Sequence, residues 1–123
     1  MNPYLESPIR RWWRRCLGTI RHWWQRRTRG WDDSELWNLD LSLARLILPR
    51  LRAFRANAHG CPGSYCVEGP DDPNAFDNWC RDLDKMIAAF EFVLSDKYWM
   101  AESMQVRDEG LALFAKYYGA LWD

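Results

Sequence analysis

Apolar residues at Ile9, Trp12, Trp13, Cys16, Leu17, Ile20, Trp23 and Trp24 recur in steps of three and four. Such spacing draws one stripe along one face of a helix. Ser7 suits the cap of that helix, Pro8 its first position, and Gly30 its stop. The pattern therefore predicts a basic amphipathic helix over 8–29, about 30 Å long, preceded by a loose leader at 1–7. Its opposite face carries Arg10, Arg11, Arg14, Arg15, Arg21, His22, Arg26 and Arg27.

Asp32, Asp33 and Glu35 form an acidic helix start, favourable at the positive end of a helix dipole. A second helix is expected from there, or from Asp40 after a short first turn, to about Ala58. Leu39, Leu43, Leu46, Ile47, Leu51 and Phe54 line one side, and Leu41, Ala44 and Leu48 widen the stripe. Pro49 inside it removes one hydrogen bond, so a kink is expected rather than an end. Gly60, Pro62, Gly63, Gly69, Pro70 and Pro73 break regular structure over 59–73, a long loop with the marks of a functional or flexible segment. A third helix starts near Pro73 or Asn74, with Phe76, Cys80, Leu83, Ile87, Phe90 and Leu94 as a bundle seam. Tyr98, Trp99 and Met100 lie in a turn or a continuing helix. A fourth helix carries Met104, Leu111, Phe114, Ala115, Tyr118, Leu121 and Trp122; Gly110 weakens it but permits close approach of a neighbour.

No stretch alternates as a strand does, so the expected fold is all-α: a four-helix single domain with one long loop at about 59–73 and a helical core over 32–122. The chain of 123 residues is large enough for one core without a metal or disulfide staple. Nine tryptophans are more than such a core readily hides, which places some at the surface. The zero net charge divides unevenly: residues 1–31 hold eight Arg against one Glu, the remainder nine Lys or Arg against sixteen Asp or Glu. A basic segment of this kind suits an anionic partner, or docks on the acidic remainder. No apolar run is long enough for a transmembrane segment, and Arg10 to Arg29 interrupts any signal-peptide core. The expected location is the cytoplasm, where cysteines are mostly thiols.

Candidate chemistry is sparse. His59, Cys61, Cys66 and Cys80 contain zinc-type ligands, but their spacing is poor for a structural site, and Cys80 and Cys16 also fit apolar stripes. Cys61 and Cys66 bracket a Pro-Gly turn and read as loop thiols, with a disulfide as the alternative. His22 and His59 read as solvated or capping residues. Asp77 and Arg81, one turn apart, make an ordinary surface pair. No phosphate loop, nucleophile elbow or metalloprotease motif occurs. The expectation is a protein with no catalytic residues, no metal and no cofactor.

The Trp/Arg helix admits several readings: tryptophans entering a core, arginines on nucleic-acid phosphates, lodging on an anionic membrane surface, or docking on a protein, where Trp and Arg are common hot spots. Residues 27–40 (RTRGWDDSELWNLD) and 43–54 (LARLILPRLRAF) are followed by Pro62 and Gly63, then by 83–91 (LDKMIAAFE) and 110–118 (GLALFAKYY). Together these segments resemble a family of short uncharacterised proteins of tailed bacteriophages. The resemblance spans roughly residues 23–122 and implies expression inside an infected bacterium. It carries no assigned activity and no functional residue. By class analogy it suggests stoichiometric blocking of a host protein, such as a defence nuclease in the anti-CRISPR manner. On this reading Arg14, Arg15, Arg26, Arg27 and Trp31 form the contact surface. A nucleic-acid-binding protein using the same helix is the alternative.

Overall fold

A computed structural model describes residues 7–96 and 99–122. Most of the expected leader and Tyr98 lie outside the described residues. The described residues form four α-helices: α1 (Pro8–Arg29), α2 (Leu39–Ala56), α3 (Ala75–Val93) and α4 (Ala101–Tyr117). Short 3₁₀ turns lie at Asp33–Leu36, Gly63–Tyr65 and Tyr118–Ala120, and no strand occurs among the described residues. The fold is all-α. The chain gathers into two compact units, residues 1–39 and residues 40–123.

The first unit is α1 and the 3₁₀ turn that follows it. Ser7 caps α1, its hydroxyl accepting the Arg10 N–H at 3.4 Å, and Pro8 occupies the first turn, where no N–H is needed. Gly30 ends the helix at φ 84°, a left-handed conformation that glycine adopts without a Cβ clash, and its N–H closes onto the Arg26 carbonyl at 2.9 Å.

The second unit holds the core. Ala44, Leu48 and Leu51 of α2, spaced four and three apart, are buried together with Ala75, Trp79, Leu83, Met86 and Phe90 of α3. Two ion pairs hold α2 to α3: Arg52 to Glu91 at 2.6 Å and Arg55 to Asp84 at 3.0 Å. The helix continues through Pro49, whose side chain faces solvent. The missing N–H leaves the Arg45 carbonyl without its helical donor; beside that gap the Arg50 guanidinium donates to the Leu46 carbonyl at 2.7 Å. α3 and α4 cross closely at Gly110, where an added Cβ would lie 2.4 Å from both the Ala89 Cβ and the Lys85 carbonyl oxygen. Phe90 and Phe114 meet edge-on above this crossing at 5.2 Å, and Lys85 pairs with Glu109 at 3.0 Å.

The loop after α2 is tied down. Tyr65 is buried and packs against Trp79 and Tyr117, with centroids 5.4 and 5.2 Å away, and its hydroxyl donates to Asp82. Asp72 accepts backbone N–H groups from Val67, Glu68 and Asn74 at 2.9 to 3.3 Å, which lowers its carboxyl pKa; the Asn74 bond contributes most. The segment thus has its own anchor residue and its own backbone bonds. His59 lies beyond the end of α2 rather than in its last turn.

Candidate functional site

α1 has no buried residue. Ile9, Trp12, Trp13, Leu17, Ile20, Trp23 and Trp24 are each between 55% and 68% exposed. Nothing within the first unit covers them. With tryptophans of up to about 250 Å² each, the stripe has on the order of 800 Å² of apolar side chain left uncovered by its own unit, more than the few hundred usual for a monomer's largest patch. Cys16, expected in a core position, is half-exposed on the same stripe. Trp12 and Trp13 meet edge-on at 5.0 Å, and Trp23 and Trp24 lie 6.5 Å apart. The two aromatic pairs sit about 16 Å from each other along the axis. Of the nine tryptophans, only Trp79 is buried.

The polar face is basic and partly clamped. Asp32 caps the following 3₁₀ turn in a reciprocal box: it accepts the Ser34 N–H at 2.9 Å, while Glu35 accepts the Asp32 N–H at 2.7 Å. Asp32 is buried and pairs with Arg26. Asp33 takes the Gln25 amide at 2.8 Å and Arg21 at 2.9 Å, and also pairs with Arg29. Gln25 in turn accepts the Asp33 N–H at 2.9 Å. Both carboxyls are held below their ordinary range: Asp32 first by the Ser34 hydroxyl and then by its N–H and Arg26, Asp33 first by Gln25 and then by Arg29.

The expected contact residues therefore fall into two groups. Arg14 and Arg15 are exposed on the N-terminal half of α1. Arg26 is engaged with Asp32, Arg27 lies over the Trp23 ring at 5.6 Å, and Trp31 is roofed by the Arg29 guanidinium at 3.8 Å. The clamp by Asp32 and Asp33 is the feature that sequence reasoning missed. Its signal was present as a capping-box sequence, Asp32 to Glu35, placed directly after a run of arginines.

In the second unit a pocket of about 350 Å³ is lined by Phe54, Cys61, Pro62, Trp79 and Trp122, among others. Cys61 is the one titratable residue among the described lining, and burial, reinforced by neighbouring Cys66, pushes that thiol upward. A thiol so shifted stays protonated and is a weak nucleophile. Cys80 is buried in α3. No three of the described His, Cys, Asp or Glu side chains gather in a way that could hold a metal ion. Arg81 donates to Asn78 at 3.4 Å. Compared with known proteins, the chain matches no family model, no curated protein and no solved structure.

Proposed function

We propose that the protein acts by binding rather than by catalysis, and that α1 is its contact element. The observation that carries this reading is the uncovered stripe of seven large apolar side chains on a helix whose other face is arginine-rich. Leaving such a stripe in water has a free-energy cost that grows with its area, and a partner surface removes that cost. The pocket of the second unit offers a counter-case for catalysis only through a protonated thiol. The resemblance of residues 27–54, 83–91 and 110–118 to short phage proteins adds a setting, the blocking of a host protein. Binding of a nucleic-acid duplex has the arginine face in its support but leaves the tryptophan face unused.

The reading is tested on the full chain by NMR of the indole N–H signals, assigned by single Trp→Phe variants. Signals of Trp12, Trp13, Trp23 and Trp24 should be attenuated by a soluble paramagnetic agent, while that of Trp79 should be protected. Equal protection of all five would mean the stripe is already covered by the chain itself, and the reading would be lost. A variant with serine at the four α1 positions should keep the melting transition of the second unit yet no longer retain the partner that the native chain recovers from host lysate or membranes.

A further inference from the structure

We propose that the partner of α1 is an anionic lipid surface, with the helix lying in the headgroup layer, tryptophans toward the acyl chains and arginines against lipid phosphates. This rests on the reading of α1 as the binding element and names what it binds. The distribution of apolar groups is the first argument. Around the helix, at one hundred degrees per residue, Ile9, Cys16 and Ile20 fall at the middle of the apolar arc, with Trp12 and Trp23 on one flank and Trp13 and Trp24 on the other. Indole rings partition to the membrane–water boundary, while aliphatic side chains enter the adjoining hydrocarbon.

Charge placement is the second argument. From Pro8 to Arg29 the helix has eight arginines and no acidic residue. At one hundred degrees per residue, Arg10 and Arg21 border one side of the apolar arc and Arg26 and Arg15 the other, while Arg27 falls within the arc near its C-terminal end, its guanidinium over the Trp23 ring at 5.6 Å. A helix lying flat on its tryptophans thus holds guanidinium groups at phosphate level along both flanks, with alkyl stems long enough to reach up from the apolar boundary. No helix of the described residues is long and apolar enough to cross a membrane, so the geometry is one of lying on the surface. Asp32 and Asp33 engage three of the eight arginines, Arg21, Arg26 and Arg29.

Two competing occupants each satisfy one face only. A nucleic-acid duplex would neutralise the arginines and leave four tryptophans in water. A second copy of the chain would cover the tryptophans but bring two arginine-rich helices side by side, with mutual repulsion. An anionic lipid surface serves both faces in a single contact.

The test is flotation of the full chain with vesicles of phosphatidylcholine containing phosphatidylglycerol, against vesicles of phosphatidylcholine alone. Binding is expected to the anionic vesicles, with a blue shift of tryptophan emission, and to weaken as salt is added. Each basic side chain near such a surface is worth on the order of fivefold in partitioning, so R10E/R15E should bind at least about tenfold more weakly. W13S/W24S should lose binding even at low salt; circular dichroism on both variants checks that the helices remain. Equal partitioning to neutral vesicles, or none to anionic ones, overturns the inference. If vesicle binding fails while the α1 variants still abolish capture of a protein or of nucleic acid, lipid is the wrong occupant and α1 remains the binding element. If the four indoles are shielded in the free chain, both readings fall together.

Discussion

Replacing Gly110 by alanine sets two effects of opposite sign against each other. In an isolated helix the change stabilises by about 1 kcal/mol, because alanine loses less backbone freedom than glycine. At this crossing the new Cβ would lie 2.4 Å from the Lys85 carbonyl oxygen and 2.4 Å from the Ala89 Cβ. Relief requires α3 and α4 to separate by close to an ångström, and one of the two obstacles is backbone, which cannot rotate away. Overpacking of this kind costs about 1–3 kcal/mol, and the double contact puts the site at the upper end. The expected net loss is about 2 kcal/mol, which for a unit of this size lowers Tm by about 8–16 °C. Thermal unfolding followed by circular dichroism measures it. Substituting Ala89→Gly in the same chain removes the side-chain obstacle but not the carbonyl, so the double variant should be less destabilised than the sum of the two single ones, by at least about 0.5 kcal/mol. A Tm that rises with Gly110→Ala, or strictly additive single effects, would refute the close crossing.

Leu48→Ala empties a buried position and should destabilise by about 2–5 kcal/mol, whereas Leu43→Ala, on the same helix but 45% exposed, should change stability by less than about 1 kcal/mol; equal effects would mean α2 presents a different face to the core. Tyr65→Phe keeps the ring packing on Trp79 and Tyr117 but deletes the hydrogen bond to Asp82, for an expected loss of about 1.5 kcal/mol in denaturant unfolding. The bond and the burial of Tyr65 also push its hydroxyl pKa well up, burial first, so the Tyr65 ring should show no phenolate absorption through the alkaline range where free tyrosine titrates. Asp32 and Asp33 have depressed pKa values, so their contribution to the α1 clamp is complete above the ordinary carboxyl value of 3.8 and fades as the pH falls below it. The Gln25 side-chain amide signals should therefore be constant from neutral pH down to about 4 and move toward free-amide positions below that; a shift already at pH 6 would contradict the sign.

The helices were legible because each carries its own punctuation. Ser7, Pro8 and Gly30 mark α1 residue for residue, and Gly110 announced a close helix approach before any partner was known. The 3.6-residue periodicity of α3 led directly to Leu83 and Phe90 in the core, although Phe76, on the same seam, remains 37% exposed at its start. The long loop was legible as a break but not as an anchored one. A Pro- and Gly-rich stretch says where regular structure stops, whereas the clustering of Tyr65 with Trp79 and Tyr117 depends on three segments distant in the chain.

The fate of α1's stripe was the least legible feature, and the reason is physical. A period of three and four residues reports that one face is apolar; it carries no information on what lies against that face. Composition does carry some. The α3–α4 contact is built from residues that allow helices to approach, with Ala89 against Gly110 at its narrowest point. α1 instead doubles its bulk at each end, Trp12 beside Trp13 and Trp23 beside Trp24, on a helix with no acidic residue to pair across an interface. Paired adjacent indoles splay the width of a stripe and hinder ridge-into-groove packing against another helix. They suit a surface that yields around them. A rigid groove must be shaped to four large rings at once, whereas the lipid boundary adapts to each ring independently and supplies the counter-charge in the same layer. The features that make α1 a poor core helix are therefore the ones that favour it as a helix lying on a membrane.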